Sequence, residues 1–597
     1  MPRLFLNITS SALGQPWRDR LDAAGSARAL AMTQQYGLPE LLARVLAGRG
    51  VAIEQAQAWL DPKIRDLMPD PDTLQDMPRL VARLVQAIQQ HETVAIFGDY
   101  DVDGAASSAL LAEFLLQAGC PFLIHIPDRI FEGYGPNDDA IRTLHGNGAR
   151  LLVTVDCGTT SAGPIAFAAS LGLDTLVIDH HQAPEVLPAA LAIVNPNRQD
   201  DMSGLGHLCA AGVVYMVLVG LNRALRQAGI WTAARPEPDL KQALDLVALA
   251  TVADVVPLRG LNRAFVRRGL DIMRARGRPG LRALMDVAGA DGPPRPYHLG
   301  FLVGPRINAG GRIGDAALGA KLLLTSDDAD AARIAADLDR LNRERQVVEV
   351  ATVEAAEAEA LQALGIEEKG VLVITAGEGW HPGVVGLVAS RLKDRFQRPA
   401  IAIALNGAVG TGSGRSIPGV DLGRAIRSAV DAGILVKGGG HAMAAGLTVK
   451  TSQLGALRAF LEAQLTLAVA QARGAAGLAI DAALTAAGAT PALLASLEAA
   501  GPFGAGNPEP VFVFPAHRIV EASVVGNGHV RLTVVAGDGT RLKAIAFRAA
   551  GGPLGDMILK ARGDVLHLAG TLSADRWGGQ TRVQLRLLDA AHPVQPR

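Results

Sequence analysis

In residues 77–90 (MPRLVARLVQAIQQ) apolar side chains recur at three- and four-residue spacing, the period of a helix with one buried face. TVAIF (93–97) follows as an unbroken apolar run of strand length. Helical and strand patterns then alternate. A helix runs from Asp103-Gly104 through ASSALLAEFLLQAG, followed by a strand at FLIHIP and a loop at DRIFEGYGPN. AIRTLHGNG reads as helix, LLVTVD as strand, TSAGPIAFAASLG as helix and TLVID as strand. This alternation predicts a mostly parallel sheet covered on both faces, with ligands bound beyond the carboxyl ends of its strands.

Residues 327–364 are polar, helix-favouring and free of Pro and Gly, which predicts a long helix between two domains. A second α/β block, beginning near GVLVITAGEGW, runs to 449, and an Ala-rich helical stretch covers 452–474. After 500 the runs shorten and become β-rich: VFVF, HVRLTVV, RLKAIAF, VLHLAGTL and RVQLRLL, broken by Gly, Asp and Asn. Five such strands predict a small OB-type barrel. The expected division is therefore an N-terminal segment packing on the core (1–76), a parallel-sheet α/β domain (77–326), a connecting helix (327–365), a smaller α/β domain (366–450), a helical linker (451–500) and a barrel (501–597).

Composition narrows this picture only a little. At 597 residues the chain is too long for one core. A net charge of −1 excludes neither nucleic acid nor small anionic substrates, since binding needs only a local basic stripe. Three cysteines, Cys120, Cys157 and Cys209, argue against a disulfide framework and for a reducing compartment. The N-terminus lacks a signal-peptide pattern, and the longest apolar run (209–221) is shorter than the roughly 18 residues of a membrane span. A cytoplasmic protein is expected.

The chemistry collects where the strands end. TVAIF leads into Asp99, Asp101 and Asp103; LLVTV into Asp156; TLVI into Asp179-His180-His181; and a further apolar run, DLVALATVA, into Asp254. Taken singly, Asp103-Gly104 is an ordinary helix cap, His180-His181 is weakly specific, and Asp254 can terminate a helix. Taken together, four strand or helix ends deliver carboxylates and imidazoles to one edge of the sheet. Like charges so placed need a cation. Carboxylates with a few imidazoles suit Mn²⁺ or Mg²⁺, and the absence of any CxxC pair argues against structural zinc. With at least four carboxylates in reach, two ions about 3.5–4 Å apart fit better than one, an arrangement that suits phosphoryl chemistry.

DYDVDG, VDCG, DHH (179–181) and ADVVP match, in order, the motif series of the DHH phosphoesterases. PDRIFEGYGPN, LGFLVGPRINAGGRIGDA (299–316), EGWHPGVVGLVASRL (378–392), GSGRSIPG (412–419), GGGHAMAAG (438–446) and PFGAGNPEPVF (502–512) extend the match over nearly the whole chain. The chain thus resembles the branch of this family that carries a DHHA1 domain and an OB domain. That resemblance implies a parallel-sheet DHH catalytic domain, a long connecting helix, a smaller DHHA1 domain and a C-terminal OB-like barrel. It implies a metal-dependent exonuclease that degrades single-stranded DNA from the 5′ end by a two-metal mechanism, in recombination and repair. It implies Mn²⁺ or Mg²⁺ as cofactor, a single-strand-binding protein and a helicase as partners, and action as a monomer.

Carried over by position, Asp101, Asp103, Asp156, His180 and Asp254 are the expected metal ligands, with Asp156 as the bridge. His181 is expected to face the scissile phosphate, and Asp179 to orient a ligand from behind. Many family members carry His where this chain has Phe97, so Asp99 is a further ligand candidate. The resemblance puts Arg306 and Arg312 on the nucleotide path, where neighbouring glycines let phosphate approach backbone N–H groups. It puts Arg129 at the 5′ phosphate, and Gly439, Gly440 and His441 at the strand backbone. Trp380, His381, Arg415 and Ser416 are expected beside them, with Trp380 either stacking on a base or lying in the core. Phe503, Phe547 and Trp577 are barrel candidates for stacking. The run 267–282, with six arginines, reads equally as a phosphate stripe and as a solvated helix face. Two other readings remain: a DHH phosphodiesterase on short oligonucleotides, and a non-catalytic single-strand-binding protein on the same fold.

Overall fold

A strand buried on both faces needs no alternation, and VAIF and LLVTV have none. In the computed structural model, which describes residues 3–129, 131–365, 370–577 and 580–593, both are fully buried strands. The chain forms two compact units: residues 68–256 with 265–475, and residues up to 67 with 257–264 and 476 onward.

The first unit holds a five-stranded parallel sheet in the spatial order Phe122–His125, Val94–Phe97, Leu151–Val155, Asp174–Ile178, Ala192–Val194. From the strand Val94–Phe97 the chain goes first to one neighbour, Phe122–His125, and then crosses to the other, Leu151–Val155. The order therefore reverses between these strands, and a crevice opens beyond their carboxyl ends. The run ending at Asp254 is a helix, Leu244–Ala253, with Asp254 at its C-terminal cap. A helix and a buried strand of this length share one composition, and only packing separates them.

The connecting helix, Asp328–Leu364, is capped by the Asp327 side chain and stops at Gly365. Its 37 residues span about 55 Å. The smaller domain is a sheet in the order Leu435–His441, Ala444–Lys450, Val409–Arg415, Ala400–Asn406, Val373–Glu378, antiparallel except for its last pair. The stretch 451–500, read as one helical linker, instead divides. Helix Leu454–Ala475 lays Leu457, Leu461, Leu465 and Val469 into the core of this sheet, so it belongs to the smaller domain. The remainder folds with the second unit.

In the second unit the five strands Phe512–Val525, His529–Val535, Arg541–Ala546, Gln580–Ala591 and Val565–Trp577 form a barrel, closed by pairing of the first with the last. The N-terminal segment departs from the expected division, because residues up to 67 belong to this unit and not to the α/β domain. Strand Trp17–Asp19 pairs in parallel with Leu478–Ile480. Fully buried Trp17 donates from Nε1 to Asp589 (3.0 Å), and Arg49 pairs with buried Asp481 at 2.7 Å. Among the described residues no helix is long and apolar enough to cross a membrane.

Candidate metal centre

The turn after Phe97 folds as it does because Asp101 caps the next helix, Val102–Ala118, its Oδ1 accepting from the N–H groups of Asp103 (2.9 Å) and Gly104 (3.1 Å). Asp103 then points inward, and its two oxygens accept from Ala210 (2.7 Å) and Ala211 (2.8 Å) at the start of helix Ala210–Gln227. Helix Gly304–Ile313 locks the turn from outside: Asn308 accepts from the Val102 N–H, and a Cβ on Gly311 would lie 2.6 Å from the Tyr100 carbonyl oxygen.

At the next strand end Asp156 adopts a left-handed backbone (φ 62°) that aims its carboxylate into the crevice. His180 Nε2 lies 3.3 Å from Asp156, 3.7 Å from Asp103 and 3.8 Å from Asp254. Three groups of donor atoms, each within 4.8 Å of one another, can hold a cation: Asp99, Asp101 and Asp156; Asp103, His180 and Asp254; and Asp156, His180 and His181. Every expected ligand is thus brought together. Asp99 is among them, while Phe97 is buried in the core against His125, with ring centroids 5.0 Å apart.

Asp179 supports this set from behind, accepting from the N–H groups of His180 and His181, from His181 Nδ1 (2.8 Å) and from the Thr159 N–H. Burial alone would raise the Asp179 carboxyl, but its bonds to His181 and Thr159 and the two imidazoles hold it well below the usual carboxylate range. The same Asp179 contact overcomes burial at His181 and raises that imidazole to about 9.

The other carboxyls behave oppositely. Burial and then mutual repulsion push Asp99, Asp156 and Asp254 well above the ordinary range. Among the described residues neither Asp99 Oδ1 nor Asp156 Oδ1 is engaged in a hydrogen bond, though both atoms are buried. Orphaned buried oxygens in a crowd of carboxylates fit a hard divalent cation. A measurable consequence follows from the sign of these shifts. Groups whose folded pKa is raised hold their protons longer in the native state, so metal-free stability falls as pH climbs through the raised values. A divalent cation replaces those protons. The melting-temperature gain from adding Mn²⁺ to EDTA-treated protein is therefore expected to be larger at about pH 8 than at about pH 6, checked by differential scanning calorimetry. No gain at either pH would count against the cation site, and an equal gain at both would mean that the raised carboxyls have already ionised by about pH 6.

Basic groups stand beside the acidic ones. Arg129 lies over the Tyr100 ring at 5.1 Å. Burial and the nearby charges of Arg129, Arg345 and Arg415 lower Arg312 to about 10. Burial and Arg129 lower Arg415 as well, while burial and then Arg415 and His181 lower His441. Arg129, Arg312, Arg415 and His441 thus crowd together, an arrangement that an anion would relieve.

Other expected site residues are placed differently. Arg306 gives Nε to Asp339 (2.9 Å) and Nη1 to the Leu302 carbonyl, tying helix Gly304–Ile313 to the connecting helix. The glycines of GPRINAGGR lie inside a helix, where they permit close packing rather than a backbone cradle. GGGHAMAAG is a hairpin of paired strands, with Gly439 facing open space and His441 accepting from the Met443 N–H. Ser416 is buried and donates to Val420 (2.7 Å). Trp380 packs against the domain core over Gly377, and His381 accepts from the Gly383 N–H. In the arginine run, Arg274, Arg276, Arg278 and Arg282 are ion-paired with Asp271, Asp286, Asp245 and Asp328, so a phosphate there would have to displace a carboxylate. Phe503 packs on the barrel core, Phe547 is exposed, and the Trp577 side chain lies outside the described residues.

Two residues of the loop at 128–137 went unread in the sequence. Tyr134 donates to the Asp156 carbonyl (3.1 Å) and meets His181 Nδ1 (3.2 Å). Glu132 gathers the loop, accepting from the Asp128 N–H and from Asn137, and pairing with His125 at 3.0 Å. The only sequence cue was an acid and an aromatic ring among loop glycines, a pattern that names no partner.

Comparison with known proteins gives three family matches in chain order: the DHH family N-terminal domain over residues 93–251, the DHHA1 domain over 368–467 and the RecJ OB domain over 480–589. The chain is similar to the single-stranded-DNA-specific exonuclease RecJ of Dickeya dadantii, at 37% identity across 92% of this chain and 95% of the relative. It is also similar to that of Escherichia coli, at 36% across 85% and 89%. It superposes on the crystal structure of RecJ from Thermus thermophilus in complex with Mn²⁺ with a TM-score of 0.77 at 29% identity, covering 97% of this chain and 80% of the other. With matches of this extent to relatives and all three domain models in order, the chain belongs to the RecJ family of DHH proteins.

Proposed function

We propose that this chain is a metal-dependent exonuclease that degrades single-stranded DNA from the 5′ end to 5′-mononucleotides, acting in recombination and repair. The observation that carries the reading is the buried carboxylate–imidazole cluster, with Arg129 over the Tyr100 ring and the Arg312 charge felt at Asp101 beside it. The activity for which the relatives are named and the Mn²⁺ and Mg²⁺ complexes of the T. thermophilus protein support it.

Asp101, Asp103, Asp156, His180 and Asp254, with Asp99 in place of the imidazole that Phe97 cannot offer, would hold two Mn²⁺ or Mg²⁺ ions. Such ions supply Lewis acidity at the phosphoryl group and a nucleophilic water. The residues do the rest. Asp179 stays ionised and accepts a hydrogen bond from the Nδ1–H of His181, so the ring presents Nε2–H to a phosphate oxygen. Arg129 receives the terminal 5′ phosphate, Arg312 and Arg415 neutralise the following backbone, and His441, whose Nδ1 accepts from the Met443 N–H, offers Nε2–H as a neutral donor. Cleavage breaks the bond between phosphorus and the 3′ oxygen of the first nucleotide, and the phosphate stays on the next one. Neither set of groups reads a base, so the substrate is chosen by backbone and shape. The α/β and DHHA1 domains carry the chemistry and the strand grip, and the barrel is a further single-strand-binding module. A single-strand-binding protein and a helicase are the proposed partners, the cytoplasm the proposed location and a monomer the proposed state.

The test is cleavage of end-labelled strands with Mn²⁺, Mg²⁺ or EDTA, comparing 5′-phosphorylated, 3′-phosphorylated and duplex DNA. Metal-dependent mononucleotide release from the 5′ end of single strands is the expected result. Tight binding without release would favour the non-catalytic reading. Release from dinucleotides alone would favour a small-substrate phosphodiesterase.

A further inference from the structure

Two large aromatic rings stand on the outer face of the segment that backs the metal centre. Tyr297 is 57% exposed and Phe301 69% exposed, and their rings stack at 5.3 Å with 21° between planes. They are four residues apart on one helical face. Leu299 and Val303, on the opposite face, are fully buried. The intervening turn, His298–Val303, is a π-helix, a form that is rare and recurs at functional sites.

This turn touches both metal-binding segments from behind. A Cβ on Gly300 would lie 3.4 Å from Val252, two residues and about 3 Å along the helix from Asp254. A Cβ on Gly304 would lie 3.5 Å from Ala253 and 3.7 Å from Val102, the residue between Asp101 and Asp103. Single exposed apolar residues are ordinary on protein surfaces. A stacked, near-parallel pair left open on a segment that packs against Val252, Ala253 and Val102, the chain neighbours of Asp254, Asp101 and Asp103, is not explained by packing.

We propose that Tyr297 and Phe301 form a stacking platform for an unpaired base of the bound strand. The inference rests on the exonuclease reading and adds to it a base-contacting site that neither charge cluster supplies. A base offers a flat π-face whatever its identity, so a stacked aromatic pair grips single strands without reading sequence. Duplex bases, already stacked, have no face to give. An apolar peptide is the other occupant an aromatic patch invites, and a wild type indifferent to every abasic position in the test below would favour it.

The experiment uses the full chain and fluorescence anisotropy in EDTA with labelled oligothymidylate. An abasic residue is moved one position at a time along the strand. The wild type is expected to lose affinity at one or two adjacent positions, by about 5- to 100-fold. Tyr297→Leu/Phe301→Leu, which keeps apolar bulk but no ring, is expected to bind the intact strand as weakly as the wild type binds that abasic strand, and to ignore the abasic position. An unchanged Mn²⁺-induced melting shift certifies the fold of the variant. Equal affinity of wild type and variant for intact strands, or a wild type indifferent to every abasic position, overturns the platform. A wild type that binds strands with this pattern but releases no nucleotides would leave the platform standing and refute the exonuclease reading instead.

Discussion

Asp156→Asn is expected to lower nuclease activity by about 10³-fold or more while raising the stability of the metal-free protein. The two effects share one cause. Asp156 is shared by two of the three groups that can hold a cation, so removing its charge weakens both positions. The same carboxylate is pushed upward by burial and by Asp103, Asp101, Asp99 and Asp254, so without a cation its charge opposes folding. Relief is expected to appear as a higher melting temperature in EDTA. Asn keeps the shape and tolerates the left-handed backbone at this position, where Ala adds a conformational penalty. Single-strand affinity should persist, since Arg129, Arg312 and Arg415 are untouched. Three measurements check this: single-turnover cleavage with Mn²⁺, calorimetric melting in EDTA, and anisotropy with labelled strand. Undiminished cleavage removes Asp156 from the metal centre. Lower metal-free stability refutes the repulsion argument and leaves the catalytic one.

Arg129→Met is expected to reduce kcat/KM on 5′-phosphorylated strands by about 10- to 100-fold, the worth of one charge-assisted hydrogen bond in a partly desolvated site. On 5′-hydroxyl strands the loss should be several-fold at most, so the variant loses its preference rather than its chemistry. Arg129→Lys should recover part of the preference, because charge survives while the planar fork does not. The arginine is set over Tyr100 and carried by the loop that Glu132 gathers. Glu132→Ala is therefore expected to change the phosphate preference in the same direction although it touches no phosphate itself. An equal loss on both strand types would assign Arg129 to general backbone binding.

Much of this was legible along the chain. Strand runs buried on both faces announce themselves by composition, and Val94–Phe97, Leu151–Val155 and Asp174–Ile178 each lead into the carboxylates and imidazoles that the structure brings to the crevice. The three-residue strand Ala192–Val194, which leads into Asn195, was too short to read. The five barrel strands were equally plain, because alternation against a closed sheet leaves a two-residue period. The failures have particular causes. Residues 478–480 read as linker because three residues show no period, and their partner strand lies at Trp17–Asp19, near the other end of the chain. Ser416, Trp380 and Arg306 were the right kinds of residue for binding DNA. Each also makes a local contact that the sequence did not show, with Val420, Gly377 and Asp339, as Arg312 does with Gly383 and Arg415 with Ser413 and Gly414. Arginines 274–282 looked like a phosphate stripe because charge runs do not display their counterions, which come from Asp245 and Asp328 as well as from nearby Asp271 and Asp286.

By itself, then, the sequence determined which residues can bind a cation, at which strand ends they lie, and that a parallel sheet must gather them, since these depend on local pattern and chain order. Only the tertiary structure decided which arginines face the site and which face carboxylates. It alone showed that Asp99 shares the cluster from which Phe97 is withdrawn, and that Tyr297 and Phe301 stay uncovered. Those outcomes depend on burial and on partners distant in the chain, and neither is a property of any short stretch of residues.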